Sequence, residues 1–369
     1  VTESRKRVLH VLAELHPSGA ESMLLAARSV FVDNGFDGEI LSTGRDAGPF
    51  ATMLTAVGYK VHHIPFAKTP GFFVRVYRLM RSGRYEVIHL HTERANFLFG
   101  LVALAARPER VVRAVHNAFA FSGNLRWRRM LQRRVLDRSG VVHVAGGANV
   151  QEVELAHYGL RTRLVPNWYD SRRFRPPSER ERRSARASFG IADGETVLVT
   201  IGNCSHIKNH AVLIEALARL PAEARPLYLH VGTEEVNEPE QVLAKRLGIA
   251  DRVRFLGAVD DLRPVYFASD VFAMPSLHEG RSIAALEALA SGLPALFTDV
   301  AGLRDLRDVY PGLYYAEPNV DSVTASLAAL LAEGPEERRV RATEYPQISR
   351  THFGIEAGVT AYTQIYQGN

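Results

Sequence analysis

Twice along the chain, short apolar runs alternate with segments of helical period, and the series stops and restarts near residue 195. RVLHVL (7–12), GEILST (38–43), VHHIPF (61–66), YEVIHLH (85–91), RVVRAVH (110–116) and VVHVAG (141–146) form the first series. TVLVTIG (196–202), PLYLHVG (226–232), VRFLGA (253–258), VFAMPS (271–276) and PALFTD (294–299) form the second. Strands that alternate with helices predict parallel sheets covered on both faces, an α/β class. Two series predict two doubly wound domains, and 369 residues exceed the roughly 250 to 300 over which one core keeps growing.

The join falls in PNWYDSRRFRPPSERERRSAR (166–186), rich in proline and arginine and without apolar period. THFGIEAGVTAYTQIYQ (351–367) reads as a helix that follows the completed second series and returns to the first. The expected domains are therefore 1–169 with 352–369, and 170–351. Ligands of open α/β sheets sit beyond the carboxyl ends of the strands, so the site is expected in the cleft between the domains.

Composition excludes several classes. The net charge of +5 is modest, and its basic clusters, RWRRMLQRRVLDR (126–138) and SRRFRPPSERERRSAR (171–186), lack a nucleic-acid reading motif. One cysteine, Cys204, permits no intrachain disulfide and points to a reducing, cytoplasmic compartment. VTESRKRVLHVLAEL carries a charged start but no secretory apolar core, and no run approaches the roughly 20 residues of a spanning helix. Trp127, Met130, Leu131 and Val135 fall at helical spacing among six arginines. That helix either buries its apolar stripe or rests on an anionic membrane as a peripheral contact.

Glu287 stands in a helix of Ile, Ala and Leu that is apolar all round, so its carboxylate needs donors from protein or ligand. Glu279, eight positions earlier, would diverge by about 80° on one continuous helix. It converges with Glu287 if it sits in the loop after VFAMPS, where Gly280 lets backbone approach a ligand and the helix start offers amides to anions. Lys208 precedes another helix, where an anion would relieve its conflict with the macrodipole. Gly19 in HPSGAESML opens the first helix, and His116 ends a strand. His89 and His91 share a strand face without a third ligand spaced nearby, which reads as packing. There is no DxD at a strand end, no H-E-x-x-H and no G-x-S-x-G, so hydrolase and metalloenzyme chemistry lose ground.

G-x-x-x-x-x-K-N-H, then P-S-L-H-E-G-x-S-x-x-x-L-E-A-x-A-S-G-L-P, then T-D-x-x-G together resemble the retaining GT-B fold glycosyltransferases of family 4, over nearly the whole chain. The resemblance implies an acceptor-binding first domain, a donor-binding second domain and metal-independent transfer from a nucleotide-sugar, UDP by family frequency. The acceptor it implies is a sugar or lipid-linked sugar in polysaccharide, glycolipid or other glycoconjugate synthesis. By position, Glu287 resembles the ribose-binding glutamate, Glu279 the glutamate beside the donor sugar, and Lys208 the lysine that neutralises the diphosphate. Gly280, Arg281 and Ser282 would offer amides, His116 would lie near the reacting sugar, and Gly19 and Gly202 would line the site. Asn203 stands where the family has an arginine, which makes the Arg281 guanidinium a candidate substitute. The interdomain N-G is Asn167–Trp168 here. An inactive nucleotide-sugar-binding module and a GT-B epimerase are the alternative readings.

Overall fold

The computed structural model describes residues 5–16, 18–118 and 120–368. The first four residues of the charged start, Pro17 of the HPSGA loop, Phe119 of RAVHNAF and Asn369 lie outside them. The chain divides into two compact units, residues 1–170 with 353–369, and residues 171–352.

The first unit holds seven parallel strands: β1 (Lys6–Leu12), β2 (Phe36–Ser42), β3 (Lys60–His63), β4 (Val87–Leu90), β5 (Arg110–Val115), β6 (Val142–Ala145) and β7 (Arg163–Leu164). Their order is β3-β2-β1-β4-β5-β6-β7. Strands covered on both faces are apolar almost throughout, and Val8, Leu9, Val11, Ile88 and Leu90 are accordingly buried. The closing helix Ile355–Gln367 belongs to this unit. Gly358 in it admits the Trp168 ring, which a Cβ there would meet at 2.2 Å. Trp168 also donates its indole N–H to Met23 O. The small residue that accommodates this tryptophan is Gly358 on the closing helix.

The second unit holds six parallel strands: β8 (Val197–Ile201), β9 (Leu227–Val231), β10 (Val253–Phe255), β11 (Val271–Met274), β12 (Ala295–Thr298) and β13 (Tyr314–Ala316). Their order is β10-β9-β8-β11-β12-β13. Leu198, Leu213, Tyr228, Leu296 and Leu327 centre one of its cores. In each sheet the strand order reverses beside the first strand, between β1 and β4 and between β8 and β11, which are the crevices where such sheets take ligands. No helix among the described residues is long and apolar enough to cross a membrane.

Candidate active site

The reversal between β8 and β11 brings two loops together. After β8 the chain runs through Gly202 and Asn203 to Lys208 and into the helix His210–Arg219. After β11 it runs through Ser276, Glu279 and Gly280 into the helix Ile283–Ala290. Leu277 N–H donates to Ile207 O at 2.8 Å, and the Asn209 amide donates to Pro275 O at 3.2 Å. Asn209 sits at φ 53°, a left-handed position that asparagine tolerates better than most side chains.

Across this junction Lys208 Nζ lies 2.6 Å from Glu279 Oε1, which also accepts from Ser276 Oγ at 2.8 Å. Gly202 borders the stem of the lysine, since a Cβ there would stand 3.3 Å from Lys208 Cε. Asn203 is turned to the loop after β9 and accepts from Thr233 N–H at 2.8 Å. In place of a cation, the position carries a tie between adjacent loops.

Glu279 lies in the loop and Glu287 a turn inside the helix, the placement that lets them converge. Ser282 caps that helix, its hydroxyl accepting from Ala285 N–H. Glu287 is buried and has a protein donor: Tyr266 Oη is 3.2 Å from its carboxylate and 3.1 Å from Ala284 O. Of the protein or ligand donors the sequence left open, Tyr266 is one from the protein. Burial, and next the Glu287 charge, hold the Tyr266 phenol well above its usual range.

Arg281, the candidate phosphate-binding guanidinium, has a protein partner. Its side chain is buried with Nη2 3.6 Å from Asp305, so engaging phosphate would break that pair. Burial lowers its pKa, partly opposed by Asp305. The T-D-x-x-G turn explains itself here: a Cβ on Gly302 would fall 1.8 Å from Gly280 O and 2.3 Å from Glu279 O. Thr298, the first residue of that turn, donates its hydroxyl to Ser276 O. Tyr266 and Asp305 are thus supports that sequence reading missed, whereas Ser276 stood in P-S-L-H-E-G and Thr298 and Gly302 in T-D-x-x-G without a role attached to them.

In the first unit, Gly19 is the first residue of the helix Gly19–Asp33 that follows β1. His116 directly follows β5 and has both ring nitrogens engaged: Nε2 lies 3.1 Å from His91 Nδ1, and Nδ1 lies 3.3 Å from Asn167 Oδ1. His91 Nε2 lies in turn 3.1 Å from His10 Nδ1. Parallel register sets His10 opposite His89, and His89 Nδ1 meets the Tyr366 hydroxyl at 2.7 Å. Burial lowers all four imidazoles: His10 to about 3, His89 and His91 well below 6.5, and His116 in the same direction. They are neutral at pH 7. The reading that no third imidazole accompanies His89 and His91 is corrected by His10, which joins them from another strand.

The helix Gly123–Arg138 buries Leu136 in the core and an arginine beside it. Arg133 is buried against Glu154 at 2.9 Å and Glu93 at 3.3 Å, and Arg113 joins Glu154 at 3.2 Å. Trp127 and Leu131 are 62% and 63% exposed and Val135 38%, so its apolar stripe faces outward rather than the core. Beside it a cavity of about 690 Å³ is walled by Phe66, Phe73, Phe97 and Leu98, with Lys68, Arg94, Arg128 and Arg129 at its margin.

The description Glycosyl transferases group 1 matches residues 181–347, and Glycosyltransferase Family 4 matches residues 17–173. Among curated relatives, EpsF of Bacillus subtilis is 28% identical over 81% of this chain and 80% of its own length. D-inositol 3-phosphate glycosyltransferase of Geodermatophilus obscurus is 33% identical over 68% of this chain and 60% of its own. Anabaena HepE in complex with UDP and glucose superimposes with a TM-score of 0.84 at 19% identity, covering 99% of this chain and 100% of that one. WaaG, a glycosyltransferase involved in lipopolysaccharide biosynthesis, does so at 0.76 and 18% identity, covering 98% and 100%. At these identities the structural likeness is one of fold.

Proposed function

The chain belongs to the glycosyltransferases of group 1 and family 4, with their GT-B fold, and on that premise we propose that it moves a sugar from a UDP-sugar to an acceptor hydroxyl. Transfer retains the anomeric configuration and needs no metal at the reacting centre. The observation that carries this reading is the Lys208–Glu279 pair at the strand-order reversal of the second unit. Breaking the bond between the anomeric carbon and the diphosphate builds negative charge on the leaving group. A fixed cation and amides at the helix start oppose that charge where it develops. Lys208 is held short of the phosphates by Glu279, and donor binding draws it across. Gly280, Arg281 and Ser282 supply backbone, and Glu287 meets the ribose hydroxyls by sharing its carboxylate with Tyr266. Gly19 gives the first unit a helix start near its own reversal. His116, neutral and doubly bonded, positions rather than transfers a proton, so the acceptor proton passes to the leaving phosphate.

The acceptor in this proposal is a lipid-linked sugar met at an anionic membrane surface. Its support is the outward stripe Trp127, Leu131 and Val135 together with the apolar cavity and its basic margin. UDP bound to HepE supports the choice of nucleotide. The test is a thermal-shift panel of UDP-, GDP- and ADP-sugars, followed by assay of nucleotide release without acceptor. UDP-sugars should raise the melting temperature by linkage and yield UDP slowly. Binding without release identifies an inactive module, a new sugar nucleotide without release identifies an epimerase, and no shift by any nucleotide removes the reading altogether.

A further inference from the structure

The second unit gathers four more side chains of metal-binding chemistry. Cys204 lies in the loop after β8, and His210 opens the helix His210–Arg219. His230 lies in β9, and Glu240 is the second residue of the helix Pro239–Arg246. All four are buried. We propose that Cys204, His210 and His230 hold one structural divalent transition-metal ion, zinc by its chemistry, with the Glu240 carboxylate as its neighbouring counter-charge, and that the ion anchors the loop carrying Lys208.

Spacing is the first argument. Zinc with sulfur at about 2.3 Å and nitrogen at about 2.05 Å, arranged tetrahedrally, sets sulfur and nitrogen about 3.5 Å apart and two nitrogens about 3.3 Å apart. Cys204 Sγ lies 3.6 Å from His230 Nε2, and His230 Nε2 lies 3.1 Å from His210 Nδ1. One ligand atom from each of the three falls within 4.8 Å of the others.

Hydrogen bonding alone does not satisfy the group. His230 Nε2 faces His210 Nδ1, Cys204 Sγ and also Gly202 O at 3.1 Å, yet it carries at most one proton. His230 Nδ1 and Glu240 Oε2 are buried without a hydrogen-bond partner among the described residues. Unpaired buried polar atoms are costly, and a cation in the shared space removes the competition. The His230 proton then sits on Nδ1, and the Nε2 lone pair joins the ion.

Charge agrees with this. The carboxylates of Glu240 and Glu234 lie close enough to act on the Cys204 thiol. The same carboxylates attract a dication. As the metal–sulfur bond forms, the thiol proton leaves to solvent, and the thiolate with the Glu240 carboxylate balances the two positive charges. The cluster of His10, His89 and His91 offers three imidazoles and no anion, and so lacks that balance. The ion proposed here lies outside the transfer chemistry and does not depend on it.

The experiment strips the full chain with a chelator and titrates it with Co²⁺. One ion per chain is expected, with a near-ultraviolet thiolate-to-cobalt charge-transfer band, visible bands of tetrahedral intensity, and displacement by Zn²⁺. C204S should lose the charge-transfer band, H230Q should abolish saturation at one equivalent, and H10Q should change neither. Zn²⁺ should also raise the melting temperature of the unmodified chain and shield Cys204 from a thiol reagent in mild urea, a readout that survives poor folding of the variants. Absence of the charge-transfer band with no stabilisation by Zn²⁺ overturns the proposal. So does a cobalt spectrum unchanged in C204S and lost in H10Q, which places the ion in the first unit.

Discussion

Lys208 and Glu279, supplied by loops 71 positions apart, close on one another at 2.6 Å while both keep some solvent exposure. The pair is a cation held by a carboxylate at the place where a diphosphate would compete for it. Lys208→Ala should weaken UDP binding and lower turnover by about 10² to 10³, the scale of removing one oxyanion donor. Glu279→Gln should free the lysine, leaving UDP affinity equal or higher while turnover falls. Calorimetric titration beside steady-state kinetics separates the two, and equal loss of UDP affinity in both variants would end this account.

Glu287 and Tyr266 make a second prediction. Tyr266→Phe leaves a buried carboxylate short of a donor and should destabilise the second unit by about 1 to 3 kcal/mol. Glu287→Gln keeps an acceptor for the tyrosine, so its urea midpoint should move little while nucleotide affinity drops. A Gln variant that unfolds early yet binds UDP as before would assign Glu287 to the core alone.

The imidazoles of the first unit set its response to acid. His10 is lowered to about 3 and His89, His91 and His116 are also lowered, all by burial, with Arg28 adding to the effect on His10. The folded unit binds fewer protons than the unfolded chain below the ordinary value of 6.5. Stability is therefore fully present above about pH 6.5 and is lost as pH falls toward 3, at up to about 1.4 kcal/mol per pH unit for each imidazole. Urea midpoints from pH 8 to 5 should hold flat, then fall, and His10→Gln should make the fall shallower. Midpoints constant to pH 5 would contradict the burial argument.

The helix Gly123–Arg138, with a buried arginine and exposed apolar side chains, predicts a reversal of the usual mutational pattern at those positions. Trp127→Ser and Leu131→Ser should change stability by less than about 0.5 kcal/mol but reduce sedimentation with anionic vesicles at low salt. Arg133→Ala, which strips Glu154 of a buried partner, should cost about 3 to 5 kcal/mol. Neutral vesicles serve as the control. Equal sedimentation of native and Trp127→Ser chains with anionic vesicles would remove the membrane face from the proposed function.

Most strands were legible because a strand buried on both faces must be apolar throughout. β7 and β13 escaped since Arg163–Leu164 and Tyr314–Ala316 are too short to show a run. The site was legible as loops after strands, with its glycines, its lysine and its two glutamates. Their partners were not. An acid in an apolar helix announces that it needs a donor, but Tyr266 lies 21 positions away and only the packing of two helices selects it. Likewise the strand period puts His89 and His91 on one face, whereas the parallel register that sets His10 opposite His89 exists only once the sheet is formed. The partner of Arg281 was hidden for the same reason: nothing near it in the chain announces Asp305.

The helix Ile355–Gln367 gives the order of synthesis a physical meaning. Residues 1–170 emerge from the ribosome first but lack the surface that covers the His89 and Trp168 rings until Tyr362, Tyr366 and Gly358 have been made. Residues 171–352, the whole second unit, are made before the tail is decoded. The nascent first unit therefore waits with an open apolar flank for as long as translation of the second takes. A chain released early would carry that flank uncovered, marked for chaperones and proteases by the same rings that complete the core in the finished protein.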